Sequence, residues 1–265
     1  MKEKENIKNG LIETFYENGQ LEGRVNLKNG LPNGLCEEFY DNGNLKIKVN
    51  FLEGKSEGLL ETFFENGQLQ EKSYQKNGLP EGPNLAYFNN GNLQFRGNFK
   101  GGKKDGLCER YFENGTLRER ANFNAGISHG LSEKFFENGK LFEKVTYKMG
   151  NPDGQLETYY ENGQLHQKGN FKNGNQDGLI MIYDEKGVLR ERANYKEGIP
   201  HGTYEKFFEN GQLIQKTSYK MGKPDGLTKI YYTNGQLFQQ ISYKMGNLDG
   251  PIIEYDKKGN LVKST

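Results

Sequence analysis

Residues 10–33 read GLIETFYENGQLEGRVNLKNGLPN, and from Gly34 the phrase begins again as GLCEEFYDNGNL. Glycine returns every 24 residues at Gly19, Gly43, Gly67, Gly91, Gly115, Gly139, Gly163, Gly187, Gly211, Gly235 and Gly259. A fixed short period marks one supersecondary unit stacked on copies of itself, not a globular domain around a central core. Two more glycine columns punctuate the unit, one running from Gly10 to Gly250 and one from Gly30 to Gly246. They leave no glycine-free stretch long enough for an ordinary helix of about 11–12 residues. The short runs between them, rich in Phe, Tyr, Leu, Val, Ile and Thr, suit strands. The fold expected is all-β: an elongated array of about eleven 24-residue β-hairpins in a long twisted antiparallel meander of about 22 strands. Residues 1–9 form a short charged cap, in which Lys2, Glu3, Lys4 and Glu5 blunt the first edge. Residues 10–265 form a single continuous array with a truncated last repeat.

Each unit reads as strand A, a Glu-Asn-Gly turn, strand B and a connector. An Asn-Gly pair fits a two-residue type I′ turn, which needs positive φ at both central residues. Two repeats place lysine before the glycine, at Lys186 and Lys258, and lysine disfavours positive φ. A three-residue loop with an αL glycine bulge needs only the glycine, and is the turn expected. Pro32, Pro80, Pro152, Pro200 and Pro224 share one connector position, where a fixed φ is expected to start a turn.

This register sets the first strand A aromatic (Phe15, Phe39, Phe63 and onward) opposite the first strand B leucine (Leu21, Leu45, Leu69 and onward). Strict alternation puts small residues such as Val25, Ala121 and Ala193 on the same face, with a second aromatic column from Phe51 to Tyr243. That face is the expected core. The other face then carries Tyr16, Tyr40, Phe64, Phe88, Phe112, Phe136, Tyr160, Phe208 and Tyr232 beside a basic column that includes Arg96, Arg120 and Arg192. In the third repeat Tyr74 and Gln75 exchange the expected residue types, which predicts a local bulge.

Hydrophobic residues make up 33% of the chain, too few for a thick core, yet 17 Phe and 16 Tyr argue against disorder. With 36 basic and 35 acidic residues the net charge is +1, so no global field draws the chain to nucleic acid or membrane. No apolar run reaches the ~18 residues of a membrane span. No hydrophobic leader is visible after Met1, which gives cytoplasmic residence for the sequence as given and export if a signal segment precedes it. Cys36 and Cys108 share one repeat position three repeats apart, on the order of 29 Å, too far for a disulfide. Both are expected to be reduced.

The stretch Gly154 to Gly178, GQLETYYENGQLHQKGNFKNGNQDG, resembles the bacterial variant of the MORN repeat, and the resemblance extends from about Gly10 to Thr265. It implies antiparallel hairpins joined in a twisted sheet. Bacterial proteins with this variant include YwqK-type antitoxins of toxin–antitoxin systems, and others in host-associated bacteria have suggested roles in invasion. The resemblance therefore implies a non-enzymatic scaffold that binds another protein, a toxin or a host protein. The alternative is an exported repeat protein meeting host or cell-wall glycan.

Individual residues add little chemistry. His129 and His201 replace connector Asp or Asn, three repeats apart, and have no ligand set around them. No Ser-His-Asp or Cys-His arrangement stands out, so no catalytic residue, cofactor or metal is expected. Glu13, Glu37, Glu61, Glu109, Glu133, Glu157 and Glu205 recur at one repeat position, as a charge ladder would, and cross-strand Glu–Lys pairs contribute roughly 0.2–1 kcal/mol each. Rings beside cations can bind single-stranded nucleic acid, but the balanced charge argues against it. Glycan stacking usually relies on Trp, and there is none. The residues expected to meet a protein partner are the nine rings from Tyr16 to Tyr232, with Arg96, Arg120 and Arg192.

Overall fold

A computed structural model describes residues 8–265. The N-terminal cap, including Lys2, Glu3, Lys4 and Glu5, falls largely outside them. Among the described residues there is no helix, and 26 strands pair antiparallel. They make the expected eleven hairpins. The excess over 22 comes from Lys103–Lys104, Asn175–Gln176, Lys223–Pro224 and Asn247–Leu248, two-residue pieces separated from the strand that follows. The chain forms two compact units, one running to Ser128 and including Glu137–Gly139, the other His129–Phe136 and Lys140–Thr265.

The hairpin turn is the three-residue loop that the lysines require. Gly19 N–H donates to the Tyr16 carbonyl (2.9 Å) and Tyr16 N–H to the Gln20 carbonyl (2.8 Å). Gly19 has φ +84°, while Asn18 keeps a negative φ. The asparagine has another task. Its Oδ1 accepts from Gln20 N–H at 2.9 Å, and its Nδ2 donates to the Asp41 carbonyl of the next hairpin at 3.0 Å. Asn42, Asn90, Asn162 and Asn234 repeat both bonds. In the odd repeats Asp184 and Asp256 substitute for the missing asparagine. The Asp184 carboxylate accepts from Lys186 N–H (3.0 Å) and Val188 N–H (2.9 Å), and Asp256 accepts from Lys258 and Asn260.

The connector departs from expectation. The type I′ turn lies here, at Asn29 (φ +55°) and Gly30 (φ +81°), between the paired Lys28 and Leu31. Glu53, Ala125, Met149, Glu197, Met221 and Met245 fill the first position elsewhere, all near φ +50°. The prolines start no turn: Pro32 pairs with Leu27 inside the ladder, and its carbonyl accepts from Gly54 N–H of the next turn at 2.8 Å. Proline fits this irregular strand start because no N–H is demanded of it. Residues 33–35 then bulge opposite Asn26, with Gly34 at φ +102°.

A second irregularity overturns the face assignment. Phe15 pairs with Leu21, but Thr14 pairs with Gly23, so Glu22 is an extra residue in strand B. The same shift recurs in every hairpin, as between Ile182 and Tyr183 or Lys206 and Phe207. A bulge of one residue moves every side chain beyond it to the other face. The small strand B residues therefore join not Phe15 but the column of Ile12. Their pairs make the core: Cys36 with Val49, Cys108 with Ala121, Ile180 with Ala193, and Thr228 beside Thr217. Val145, at 1% exposure, is among the most buried side chains. Such small residues suit a core only one sheet thick.

The third repeat has no bulge of its own. Gly58 pairs with Gln75 in the register that sets Gly34 against Phe51. Gln75 simply occupies the aromatic position and donates to Ser73 Oγ at 3.1 Å, leaving Tyr74 exposed on the other side. Cys36 and Cys108 are free thiols, each raised by burial above the ordinary range.

Candidate functional site: an ionic face

The bulge sorts the recurrent charges onto one face, opposite the core residues. Strand A supplies Glu37 and Phe39, and strand B supplies Arg24. Arg24 pairs with Glu37 at 2.6 Å and lies over the Phe39 ring at 5.9 Å. Arg96 pairs with Glu109 at 2.5 Å, and Arg192 with Glu205 while covering Phe207. These arginines all reach forward into the next hairpin. Lys72, Lys168 and Lys216 instead pair within their own hairpin, with Glu61 (3.1 Å), Glu157 (2.9 Å) and Glu205 (3.0 Å). The difference follows side-chain shape, since a planar guanidinium can hold a carboxylate and stack on a ring together.

The carboxylates are the enclosed partners. Glu205 is 4% exposed. Burial acts to raise its pKa, but hydrogen bonds from Arg192 and Lys216 outweigh burial and hold the carboxyl below the usual range. The Lys168 hydrogen bond does the same for Glu157, helped by Tyr159, whose hydroxyl donates at 2.9 Å. Beside the ladder lie exposed leucines, Leu11 and Leu107 in the first unit and Leu131, Leu179 and Leu227 in the second.

The twelve partner-contact candidates do not come together. Arg96 and Arg192 belong to the ionic face, and Arg120 shares their column. The nine rings lie on the core side. Lys46 marks that side by pairing with Glu38 (3.8 Å) and covering Tyr40 (5.9 Å), whereas Glu37 and Phe39 meet Arg24. Several of these rings are engaged within the fold. Tyr16, Tyr40, Tyr160 and Tyr232 donate their hydroxyls to backbone carbonyls of the next hairpin at 2.7–3.0 Å. Phe136 meets Phe142, and Tyr160 meets His166. The exposed leucines were missed in the sequence because strict alternation sets them on the face of Phe15, the face expected to be the core.

Among the described residues no group of three or more His, Cys, Asp or Glu could hold a metal ion, and no helix is long and apolar enough to cross a membrane. The sequence profile of the MORN repeat variant matches ten segments, 8–29, 32–53, 56–77, 80–100, 104–125, 128–149, 152–173, 176–197, 200–221 and 224–245. The chain belongs to that family. The eleventh hairpin, from Ile253 to Ser264, lies beyond the matched segments. No curated protein matches the chain. Similar solved structures include a TcdB2-TccC3-Cdc42 complex, at 11% identity over 95% of this chain and 15% of that one, with a TM-score of 0.20. Another is the Photorhabdus luminescens Tc holotoxin pore carrying the TccC3-D651A mutation, at 12% identity over 96% of this chain and 15% of that one, with the same TM-score. The chain thus spans about 15% of the length of these chains. A likeness at that score carries no argument about shape or function. MORN repeats generally build non-catalytic scaffolds for protein interaction.

Proposed function

We propose that this chain is a non-enzymatic scaffold that binds another protein on its ionic face, in the form of a YwqK-type antitoxin that sequesters a toxin. The observation that carries the reading is that, within each unit, exposed leucines lie beside an Arg/Lys–Glu ladder. Apolar side chains set in an ordered charged frame offer a partner both burial and electrostatic register. The core side is less suited, because several of its rings and hydroxyls already join one hairpin to the next.

The test uses the full chain with Leu107→Asp, Leu179→Asp and Leu227→Asp together. Wild type should capture a defined protein from extracts of the source cells, and the triple variant should lose it while keeping its circular dichroism spectrum. Capture of no protein by wild type, or equal capture by the variant, refutes the reading. If the captured protein is not toxic when expressed alone, the antitoxin form fails while the scaffold stands.

A further inference from the structure

The charge ladder has one gap. At the repeat position that holds glutamate in Glu37, Glu109, Glu157 and Glu205, the tenth repeat has Lys229. Lys229 lies directly opposite Lys216 on one side and Gln240 on the other. Leu85, Met181 and Ile253 also interrupt the acidic column, but they are neutral. The cations facing Leu85, Lys72 and Arg96, each hold a glutamate, Glu61 and Glu109. Around Lys229 the balance differs. Arg192 and Lys216 both pair with Glu205, and Lys229 makes no ion pair among the described residues. Glu205 thus already serves two cations, and Lys229, on the far side of Lys216 from it, is a third cation with no carboxylate of its own. The nearby Asp225 is turned to the connector, where it accepts from Met245 N–H at 3.1 Å, and Glu254 bonds Gln239 at 3.0 Å. Leu227, two residues before Lys229 on the same face, is 45% exposed.

Like charges placed directly opposite on a sheet repel, and this pair lies on a face otherwise ordered by opposite charges. We propose that the gap receives a carboxylate from outside: an acidic segment of a partner protein sets an Asp or Glu side chain between Lys216 and Lys229 and an apolar neighbour on Leu227. The partner's acid completes the ladder where the chain's own column fails. The inference rests on the ionic face being the binding face and assigns the chemistry that face recognises.

The experiment measures fluorescence anisotropy of a fluorescein-labelled hexaglutamate peptide with the full chain at low ionic strength. Saturable binding is expected. Lys229→Glu should weaken it about fivefold or more, the scale of a lost charge contact. Lys48→Glu is the control, because Lys48 lies on the same face but opposite Glu37 and Glu61. It should change the affinity less than twofold. Lys229→Glu should also raise the melting temperature, since it sets glutamate against Lys216; loss of binding then cannot be ascribed to unfolding. Absence of saturable binding, equal weakening by both variants, or displacement of the peptide by an equimolar amount of inorganic phosphate would each overturn the proposal. If a protein captured from extracts is lost with the leucine variant yet kept by Lys229→Glu, the gap is refuted and the ionic face remains the binding face.

Discussion

Each repeat reverses the chain twice, and the two reversals follow different rules. The hairpin turn uses one left-handed residue, always glycine from Gly19 to Gly259, and leaves its other loop residues in ordinary conformations. The connector turn uses two. Its second is always glycine, but its first is Asn, Glu, Ala or Met at φ near +50°, except in the Gly101–Gly102 turn. The connector therefore tolerates a strained side chain and the hairpin turn does not. The hairpin turn is held by a side-chain lock, asparagine or aspartate. Six connector turns gain a milder aid. A polar side chain 20 residues earlier accepts the first turn N–H, as Glu57 does for Asn77 at 2.9 Å and Asp225 for Met245. His129 and His201 occupy that position ahead of Met149 and Met221, and neither pair shows such a bond. The lesson is that glycine periodicity marks where a chain turns, while Asn-Gly alone does not say which turn it is: Asn18-Gly19 closes the three-residue loop and Asn29-Gly30 the type I′ turn.

The largest way to break this contrast is Gly163→Val. A β-branched residue at φ +92° should cost about 2–3 kcal/mol, seen as a lower urea midpoint. The reverse change at the connector, Met221→Gly, should stabilise. It relieves strain of ~1–2 kcal/mol, offset by ~0.4–1 kcal/mol of added freedom in the unfolded chain, for a net gain of roughly 0.5–1 kcal/mol. A loss of stability there would show that Met221 contributes packing that outweighs its strain. Asn162→Ala removes two hydrogen bonds and should cost about 1 kcal/mol. Lys186→Asn should leave the melting temperature nearly unchanged, because Asp184 already holds that turn.

Acid gives the smallest and most local effect. Backbone hydrogen bonds, first from Val188 N–H, hold the Asp184 carboxyl below its ordinary range, and Asn260 does the same for Asp256. A depressed carboxyl lends stability above its unfolded pKa of about 3.8 and loses it as pH falls through the lower folded value. Hydrogen exchange at Val188 and Asn260 should therefore accelerate below about pH 4 relative to Gln164, whose lock is a neutral asparagine. Equal protection at all three amides would remove the distinction between the two locks.

The hairpins, the three-residue turn and the opposition of Phe15 to Leu21 were legible because glycine and lysine constrain backbone angles residue by residue. The faces were not. A one-residue bulge at Glu22 leaves no compositional mark, since that position holds Glu, Lys, Gln, Arg, Phe, His, Ile and Val in different repeats. Period-two reasoning ran straight through it and joined Val25 to the wrong aromatic column. A signal was nevertheless present. Glutamate recurs in one strand and arginine or lysine in the next, and setting those columns side by side places Arg24 with Glu37 and Phe39. The connector was misread for a related reason: proline drew attention as a turn former, while Asn29 and Gly30 just before it made the turn.

The bonds that the turn tyrosines and turn asparagines make to the neighbouring hairpin point one way. Tyr16, Tyr40, Tyr160 and Tyr232, with Asn18, Asn42, Asn90, Asn162 and Asn234, donate to carbonyls 23 residues later. As the polypeptide leaves the ribosome, each of these hairpins emerges with donors that its successor satisfies. A nascent chain stalled just after one of them carries those unmet donors at its growing end.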